Sequence, residues 1–253
     1  MLLAVDIGNT NIVFGLFEND NLLASFRLET NYYKTIDEYG IKFIEMIRFN
    51  NHKVEEVKGI IISSVVPQLD SIFEKMFIKY LKIKPIFVGV GTKTGINIKL
   101  DNPKQLGADI LVGVVAANSK YPTPLIVIDM GTATTFAYLN SKKEMLGGII
   151  LPGIKTSFSS LIQKTSRLEE VKVDIPNNII GRDTVSSIQS GMIYGTVSMI
   201  DGLIRKIKKA EGEAVVVITG GESRYIINHL EEKVNYEENL ILEGLKIIYN
   251  KNQ

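Results

Sequence analysis

The stretch Asp6-Ile7-Gly8-Asn9-Thr10-Asn11 decides the fold, and it directly follows the apolar run Leu2-Leu3-Ala4-Val5. A short apolar run of this kind predicts a buried strand. The carboxylate of Asp6 comes where that strand ends, and Gly8 lets the chain turn tightly beside a ligand. Backbone N–H groups in such a turn can bind phosphate, while a carboxylate can hold a hydrated Mg²⁺ ion. A hairpin turn between two strands is the alternative, because Gly-Asn pairs are common in hairpins.

The same pattern returns 123 residues later in the chain. Leu125-Ile126-Val127-Ile128 is again an apolar run, and Asp129-Met130-Gly131-Thr132 follows it. After each run the predicted order is three strands, a helix, a strand, a helix, a strand and a helix. This indicates one internal duplication of an α/β unit rather than a short-period solenoid. We therefore expect two halves, residues 1–119 and 120–253, with a ligand cleft between them.

Apolar spacing and turn signals place the individual elements. Thr35-Ile36-Asp37-Glu38 has the pattern of a capping box at a helix start. In the first half we predict strands at 2–6, 11–17, 21–28, 59–62 and 85–88, and helices at 35–47, 67–80 and 104–118. In the second half we predict strands at 125–128, 135–139, 145–151 and 214–218, and helices from 155 and at 183–209, 223–230 and 238–249.

The composition excludes several classes of protein. The chain has no Cys, which excludes disulfides, zinc–thiolate sites and cysteine nucleophiles. Its 29 basic and 28 acidic residues give a net charge of +1, and this balance does not indicate a nucleic-acid-binding surface. Asp6 interrupts the first apolar run before a signal peptide could form, and no apolar run approaches the roughly 18 residues of a membrane span. We expect a soluble, cytoplasmic protein without a nucleic-acid or membrane partner.

A second carboxylate, Asp109, lies in Gly107-Ala108-Asp109 at a predicted buried helix. A carboxylate in apolar surroundings costs free energy unless it has a partner or a chemical role. Because Gly107 opens space for a ligand just before it, we favour the chemical role. The structural alternative is an Asp that caps the helix start or interacts with its dipole.

The two Asp-x-Gly turns and Thr219-Gly220-Gly221-Glu222 together resemble the two phosphate motifs and the adenosine motif of the superfamily of acetate and sugar kinases, Hsp70 and actin. That resemblance implies an α/β fold of two duplicated ribonuclease H-like, actin-like ATPase domains with a nucleotide cleft between them. Within the superfamily, an ordered series of motifs over nearly the whole chain is similar to type III pantothenate kinases. The series is Asp6–Asn11, Asp101-Asn102-Pro103, Gly107-Ala108-Asp109, Asp129–Thr134, Gly181-Arg182-Asp183-Thr184 and Gln189-Ser190-Gly191.

The resemblance implies that ATP phosphorylates pantothenate to 4'-phosphopantothenate, the first step of coenzyme A biosynthesis, in a homodimeric enzyme. It implies that Asp109 is the general base for the primary hydroxyl of pantothenate. Asp129 is the implied ligand of a monovalent cation, K⁺ or NH₄⁺, and Asp6 the implied ligand of Mg²⁺ through water. The implied ATP-binding residues are Asp6, Ile7, Gly8, Asn9, Thr10, Asn11, Gly131 and Thr132. The implied pantothenate-binding residues are Gly107, Ala108, Asp109 and Thr184.

Two positions depart from the family pattern. Many members have Arg where this chain has Ile110, and many have an aromatic residue where it has Leu100. The missing guanidinium would remove a charge that can bind an anion or lower the pKa of the base. A kinase of another small alcohol or carboxylate is therefore one alternative function. A nucleotide-binding regulator without turnover is another, although Asp109 and Thr184 argue against it.

One residue of the adenosine motif has two interpretations. Glu222 is either a ligand of adenosine or a neighbour of a helix N-terminus that the helix dipole favours.

Overall fold

The computed structural model describes residues 1–163 and 171–253, and within them the chain alternates strands and helices. The strands are β1 (Leu2–Ile7), β2 (Asn11–Glu18), β3 (Asn21–Glu29), β4 (Gly59–Ser64), β5 (Ile86–Phe87), β6 (Asn97–Ile98), β7 (Leu125–Met130), β8 (Ala133–Leu139), β9 (Glu144–Pro152), β10 (Val215–Thr219) and β11 (Asn235–Tyr236). The helices are α1 (Ile36–Phe49), α2 (Pro67–Leu81), α3 (Ala108–Lys120), α4 (Ile154–Gln163), α5 (Thr184–Glu211) and α6 (Leu240–Lys251). Short 3₁₀ turns lie at Val54–Glu56, Pro103–Gln105, Ser223–Tyr225 and Ile227–His229.

The chain forms two compact units. Unit 1 comprises residues 1–95, 102–116 and 239–253, and unit 2 comprises residues 96–101 and the described part of 117–238. The C-terminal helix α6 belongs to unit 1 because it packs on β1, β2 and β4. The units thus differ from the halves 1–119 and 120–253, whose boundary stays a prediction about the repeat.

Each unit contains a mixed sheet, and the two sheets repeat the same topology. The order in unit 1 is β3-β2-β1-β4-β5, and the order in unit 2 is β9-β8-β7-β10-β11 with β6 added beside β9. Strands β1, β2 and β3 are antiparallel neighbours in unit 1, as β7, β8 and β9 are in unit 2. Strands β4 and β5 run parallel to β1, and β10 and β11 run parallel to β7. This agreement confirms the predicted duplication of an α/β unit.

The first turn of α1 shows why local sequence predicts some element boundaries well. Thr35 accepts a hydrogen bond from the backbone N–H of Glu38, and the Glu38 carboxylate accepts one from the backbone N–H of Thr35. These reciprocal bonds satisfy donors that a helix start otherwise leaves unpaired. Buried Tyr39, Phe43 and Ile47 then recur along one face and pack into the core of unit 1.

Two predicted elements need correction, and two short strands are absent from the prediction. Residues 223–230 form two 3₁₀ turns rather than a helix, because Ile226 between them departs from helical geometry at φ −123°. Helix α3 begins at Ala108 rather than at residue 104, because Pro103 starts a 3₁₀ turn that ends at an extended Leu106. Strands β6 and β11 were not predicted, since two residues each are too few to show a period of two.

The described residues contain no helix that is both long and apolar enough to span a membrane.

Candidate active site

The turn between β1 and β2 is held by a compact set of hydrogen bonds. The N–H of Gly8 donates to the carbonyl of Asn11 over 3.0 Å. Thr30 then donates twice, from its hydroxyl to the carbonyl of Gly8 (2.6 Å) and from its N–H to the carbonyl of Thr10 (3.0 Å). These bonds fix the turn while Asn9, Thr10 and Asn11 remain exposed. The predicted phosphate turn is thus ordered and open to a ligand.

The turn between β7 and β8 in unit 2 repeats this arrangement. The N–H of Gly131 donates to the carbonyl of Ala133 over 3.0 Å. The carbonyl of Thr132 accepts from the N–H of Gly153 (3.0 Å) and from the hydroxyl of Thr156 (2.7 Å). Gly153 lies just before α4 and Thr156 lies in its first turn, so this helix is attached directly to the second turn. Thr132 itself is exposed.

Asp6 and Asp129 occupy equivalent places in the two sheets. Asp6 is aligned with Ser63 of the parallel strand β4, and Asp129 with Thr219 of the parallel strand β10. Gly220, which follows Thr219, has a φ of +94°, and a Cβ there would lie 2.5 Å from Oδ1 of Asp129. The carboxylate of Asp129 is therefore packed against a backbone turn that only glycine permits without strain.

The donors present fit the cations that the resemblance implies. Among the described residues, no three His, Cys, Asp or Glu side chains form a cluster that could hold a metal ion. Mg²⁺ in phosphoryl-transfer sites needs no such cluster, because it keeps several waters and binds one or two carboxylates plus the substrate phosphates. A single carboxylate beside a phosphate turn, as at Asp6, suits that mode of binding. Asp129 likewise combines a carboxylate with nearby backbone at Gly220.

Asp109 lies in the first turn of α3 and is partly buried. Its Oδ1 accepts a hydrogen bond from the backbone N–H of Ile110 over 2.7 Å. Burial raises the pKa of Asp109, and the N–H groups of Ile110 and of Asp109 itself oppose that rise. A carboxylate with a raised pKa accepts a proton more readily, which is what a general base must do.

Thr184 is the first residue of α5 and lines a cavity of about 900 Å³ in unit 2. The cavity lies among α4, the segment Gly181–Asp183 and the first half of α5. Asp183 caps α5 by accepting the N–H of Ser186 over 2.9 Å, which also lowers the pKa of Asp183. The local fold that positions Thr184 is therefore a standard N-terminal cap.

The charged residues that line this cavity, among those the structure describes, are Arg182 and Asp183. Asp183 is engaged in capping, so Arg182 is the side chain that can attract an anion there. Arg182 lies inside one of the family-like motifs, but the sequence alone predicts no role for it. The apolar wall of the cavity is not among the predictions either, although the spacing of Ile188, Met192 and Met199 along α5 indicates one helix face.

The predicted site residues are thus divided between the units. Unit 1 contains Asp6–Asn11 and Gly107–Asp109, and unit 2 contains Asp129–Thr132 and Thr184. Within unit 2, α4 joins two of these groups, since its first turn holds the carbonyl of Thr132 and its side lines the cavity of Thr184.

Comparison with known proteins gives a consistent family assignment. Residues 2–206 match the family model described as type III pantothenate kinase. A type III pantothenate kinase from Exiguobacterium sp. (strain ATCC BAA-1283 / AT1b) is 43% identical over 253 residues, covering 100% of both chains.

Solved structures with low sequence identity share the fold. A Campylobacter jejuni protein named as a conserved Baf family transcriptional activator is 22% identical, with a TM-score of 0.61 and coverage of 99% of this chain and 98% of that one. The inorganic polyphosphate/ATP-glucomannokinase from Arthrobacter sp. strain KM is 12% identical, with a TM-score of 0.50 and coverage of 99% and 98%. These likenesses, together with the two repeated sheets, confirm the predicted α/β fold of duplicated ribonuclease H-like domains.

Proposed function

Because the chain belongs to the type III pantothenate kinase family, it is a kinase that phosphorylates pantothenate in coenzyme A biosynthesis, and we propose that Asp109 is its general base. The observation that carries this role is the burial of the Asp109 carboxylate, which raises its pKa in the first turn of α3. In the reaction, the primary hydroxyl of pantothenate attacks the γ-phosphorus of ATP. Asp109 accepts the hydroxyl proton as the new O–P bond forms and ADP leaves.

The proposed ATP-binding residues follow the two ordered turns. Backbone N–H groups of the turn Asp6–Asn11 bind phosphate oxygens, and Gly131 and Thr132 supply the matching groups of the repeated turn. Asp6 would hold Mg²⁺ through water, and Asp129 would hold a monovalent cation, K⁺ or NH₄⁺. When bound, these cations neutralise charge on the phosphates. The fixed geometry of both turns supports these roles, because phosphoryl transfer depends on positioning.

Pantothenate is proposed to bind Gly107, Ala108 and Asp109 near its hydroxyl, and Thr184 elsewhere along its length. Pantothenate is an anion, and Arg182 is the cationic side chain among the described residues that line the cavity of Thr184, beside the Asp183 carboxylate that caps α5. The charge of Arg182 supports an acidic substrate even though Ile110 stands where many relatives have Arg.

The enzyme is further proposed to act as a homodimer in the cytoplasm. Unit 2 exposes several large apolar side chains, namely Ile150, Ile179, Ile180 and Val185. A contact surface between two copies would bury such side chains where they form one contiguous patch.

One assay tests the function and its residue roles together. ADP release is measured with pantothenate and with a panel of other small alcohols, in K⁺ and again in Na⁺. We expect turnover with pantothenate and a higher rate in K⁺. Turnover on another alcohol but not on pantothenate would indicate a changed substrate, and no turnover at all would indicate a nucleotide-binding regulator.

The Asp109→Asn variant tests the base separately. The amide cannot accept the hydroxyl proton, so turnover should be lost while pantothenate binding stays measurable by calorimetry. A near-normal kcat in this variant would disprove the role of Asp109.

A further inference from the structure

Glu222 is a buried carboxylate that binds the start of a helix far from it in sequence. Its side chain is only 8% exposed. Its Oε2 accepts the N–H of Ile154 over 2.6 Å, and its Oε1 accepts the N–H of Lys155 over 3.4 Å. Ile154 and Lys155 are the first two residues of α4, where a helix leaves its N–H groups unpaired and its dipole favours a negative charge.

The backbone of Glu222 is tied to the phosphate turn of unit 2. Its N–H donates to the carbonyl of Met130 over 3.0 Å. The residue just before α4, Gly153, donates its N–H to the carbonyl of Thr132 over 3.0 Å. A Cβ on Gly153 would overlap the carbonyl of Gly131 and lie 2.9 Å from Oε2 of Glu222. The turn, the start of α4 and Glu222 therefore close a ring of direct contacts.

One side of α4 also lines the cavity that contains Thr184. Ile154, Ser157, Phe158 and Leu161 all contribute to that wall. A shift of α4 at its N-terminus would thus move a wall of the cavity and release the carbonyl of Thr132 at the same time.

From this ring of contacts we infer that Glu222 is a positioning residue, which fixes the phosphate turn Asp129–Thr132 against α4 without itself touching substrate. The inference rests on the proposed role of that turn in binding ATP. The sequence did not point to this partner, because the helix predicted directly after Glu222 is two 3₁₀ turns and the carboxylate binds the start of α4 instead. Burial raises the pKa of Glu222, and the N–H groups of Ile154 and Lys155 lower it, which fits a carboxylate used as a cap.

The test compares Glu222→Ala and Glu222→Gln by calorimetric titration with Mg·ATP, by kinetics and by thermal unfolding. In Glu222→Ala both bonds to α4 are lost, and we expect Kd and KM for ATP to rise about tenfold, the effect of losing charge-assisted hydrogen bonds. Glu222→Gln keeps one acceptor oxygen and should recover most of the ATP affinity.

Asp201→Ala is the matched control. Asp201 is also buried in unit 2, and its carboxylate accepts the N–H groups of Glu231 and Glu232 over 3.0 and 3.1 Å. It is therefore the same kind of cap, bound to a different turn. We expect Asp201→Ala to lower the unfolding temperature and leave Kd for ATP unchanged.

Two results would overturn the inference. One is Glu222→Ala with a lower unfolding temperature but an unchanged Kd for ATP, which would make Glu222 a structural cap alone. The other is equal loss of ATP affinity in Glu222→Ala and Asp201→Ala. A wild-type chain that binds ATP but fails to phosphorylate pantothenate would contradict the proposed function instead, and the calorimetric comparison would still decide the role of Glu222.

Discussion

Asp109, the proposed base, carries its charge at a cost in stability. Because its pKa is higher in the folded chain than in the unfolded one, the folded state binds the proton more tightly. Below the ordinary pKa of 3.8 the carboxyl group does not reduce the free energy of unfolding, and the reduction grows as pH rises from 3.8 to the raised pKa. Asp109→Asn should therefore unfold at a higher temperature than the wild-type chain at neutral pH, while it loses activity.

Thermal unfolding of both chains over a range of pH measures this difference. Asp183→Asn is a useful comparison, because Ser186 lowers the pKa of Asp183 and the sign is reversed. Its charge stabilises the fold above the unfolded pKa, and that stabilisation is lost as pH falls through the lowered pKa. A difference between wild type and Asp109→Asn that shrinks with rising pH would contradict the assigned environment of the base.

Arg182 should contribute to substrate affinity through its charge. Loss of a charge-assisted contact in Arg182→Gln is expected to raise KM for pantothenate about tenfold and to leave KM for ATP unchanged. Arg205→Gln is the control, since Arg205 lies on α5, the helix that follows Arg182, and pairs at the surface with Glu231 and Glu232. Equal effects of the two substitutions on pantothenate would show that only the net charge of the protein matters.

Individual residues were predictable where one local pattern had one physical explanation. The Asp-x-Gly turns stand out in the sequence because each directly follows an apolar strand. Asp109 stands out because a carboxylate in an apolar helix costs free energy. Glu222 was not assignable in this way, because its partners at Ile154 and Lys155 are set by the tertiary fold. Arg182 was missed because a charged residue at a helix start is normally explained by solvent.

The glycine turn after β10 offers a direct comparison between neighbouring positions. Gly220 has a φ of +94°, and a Cβ there would overlap the backbone of Met130, whereas a Cβ on Gly221 would meet nothing within 4 Å. Gly220→Ala should therefore reduce the free energy of unfolding by about 1–3 kcal/mol, the cost of a strained residue, and so lower the unfolding temperature. It should also weaken the response to K⁺ by displacing the carboxylate of Asp129.

Gly221→Ala is expected to resemble the wild-type chain in both measurements. Thermal unfolding and ADP release at several K⁺ concentrations distinguish the two variants. If both alanines behaved alike, the close approach of Gly220 to Asp129 would have no functional consequence.

Elements were predictable in proportion to their length and to the strength of their boundary signals. The capping box at Thr35 and the long apolar stripes of α1 and α5 gave helices that the structure confirms. The helix predicted at 223–230 is wrong because eight residues with some apolar members fit two 3₁₀ turns as well as a helix. Tertiary hydrogen bonds around the segment then favour the turns. One such bond runs from the N–H of Glu231 to Asp201 on α5.

At the scale of the whole chain, the repeat of Asp6 and Gly8 at Asp129 and Gly131 was enough to predict a duplication. The repeat fixes strand order and direction, because equivalent sequences form equivalent sheets. It does not fix which sheet the last helix covers. Helix α6 joins unit 1 through side chains such as Leu242 and Tyr249, which fill space beside the strand glycines Gly15 and Gly59. Such long-range complementarity leaves no local pattern in the sequence.

The proposed homodimer predicts that the exposed apolar side chains of unit 2 are buried between two copies. Ile180 is 75% exposed in the single chain, so a negative charge there should cost little in folding but much in association. We expect Ile180→Asp to shift the molar mass measured by light scattering from dimer to monomer, with an unchanged circular dichroism spectrum. Val90→Asp is the control, because Val90 is 90% exposed in unit 1 and should remain outside the interface. A dimer that survives Ile180→Asp but not Val90→Asp would place the contact on unit 1, and a monomeric wild-type chain would refute the homodimer itself.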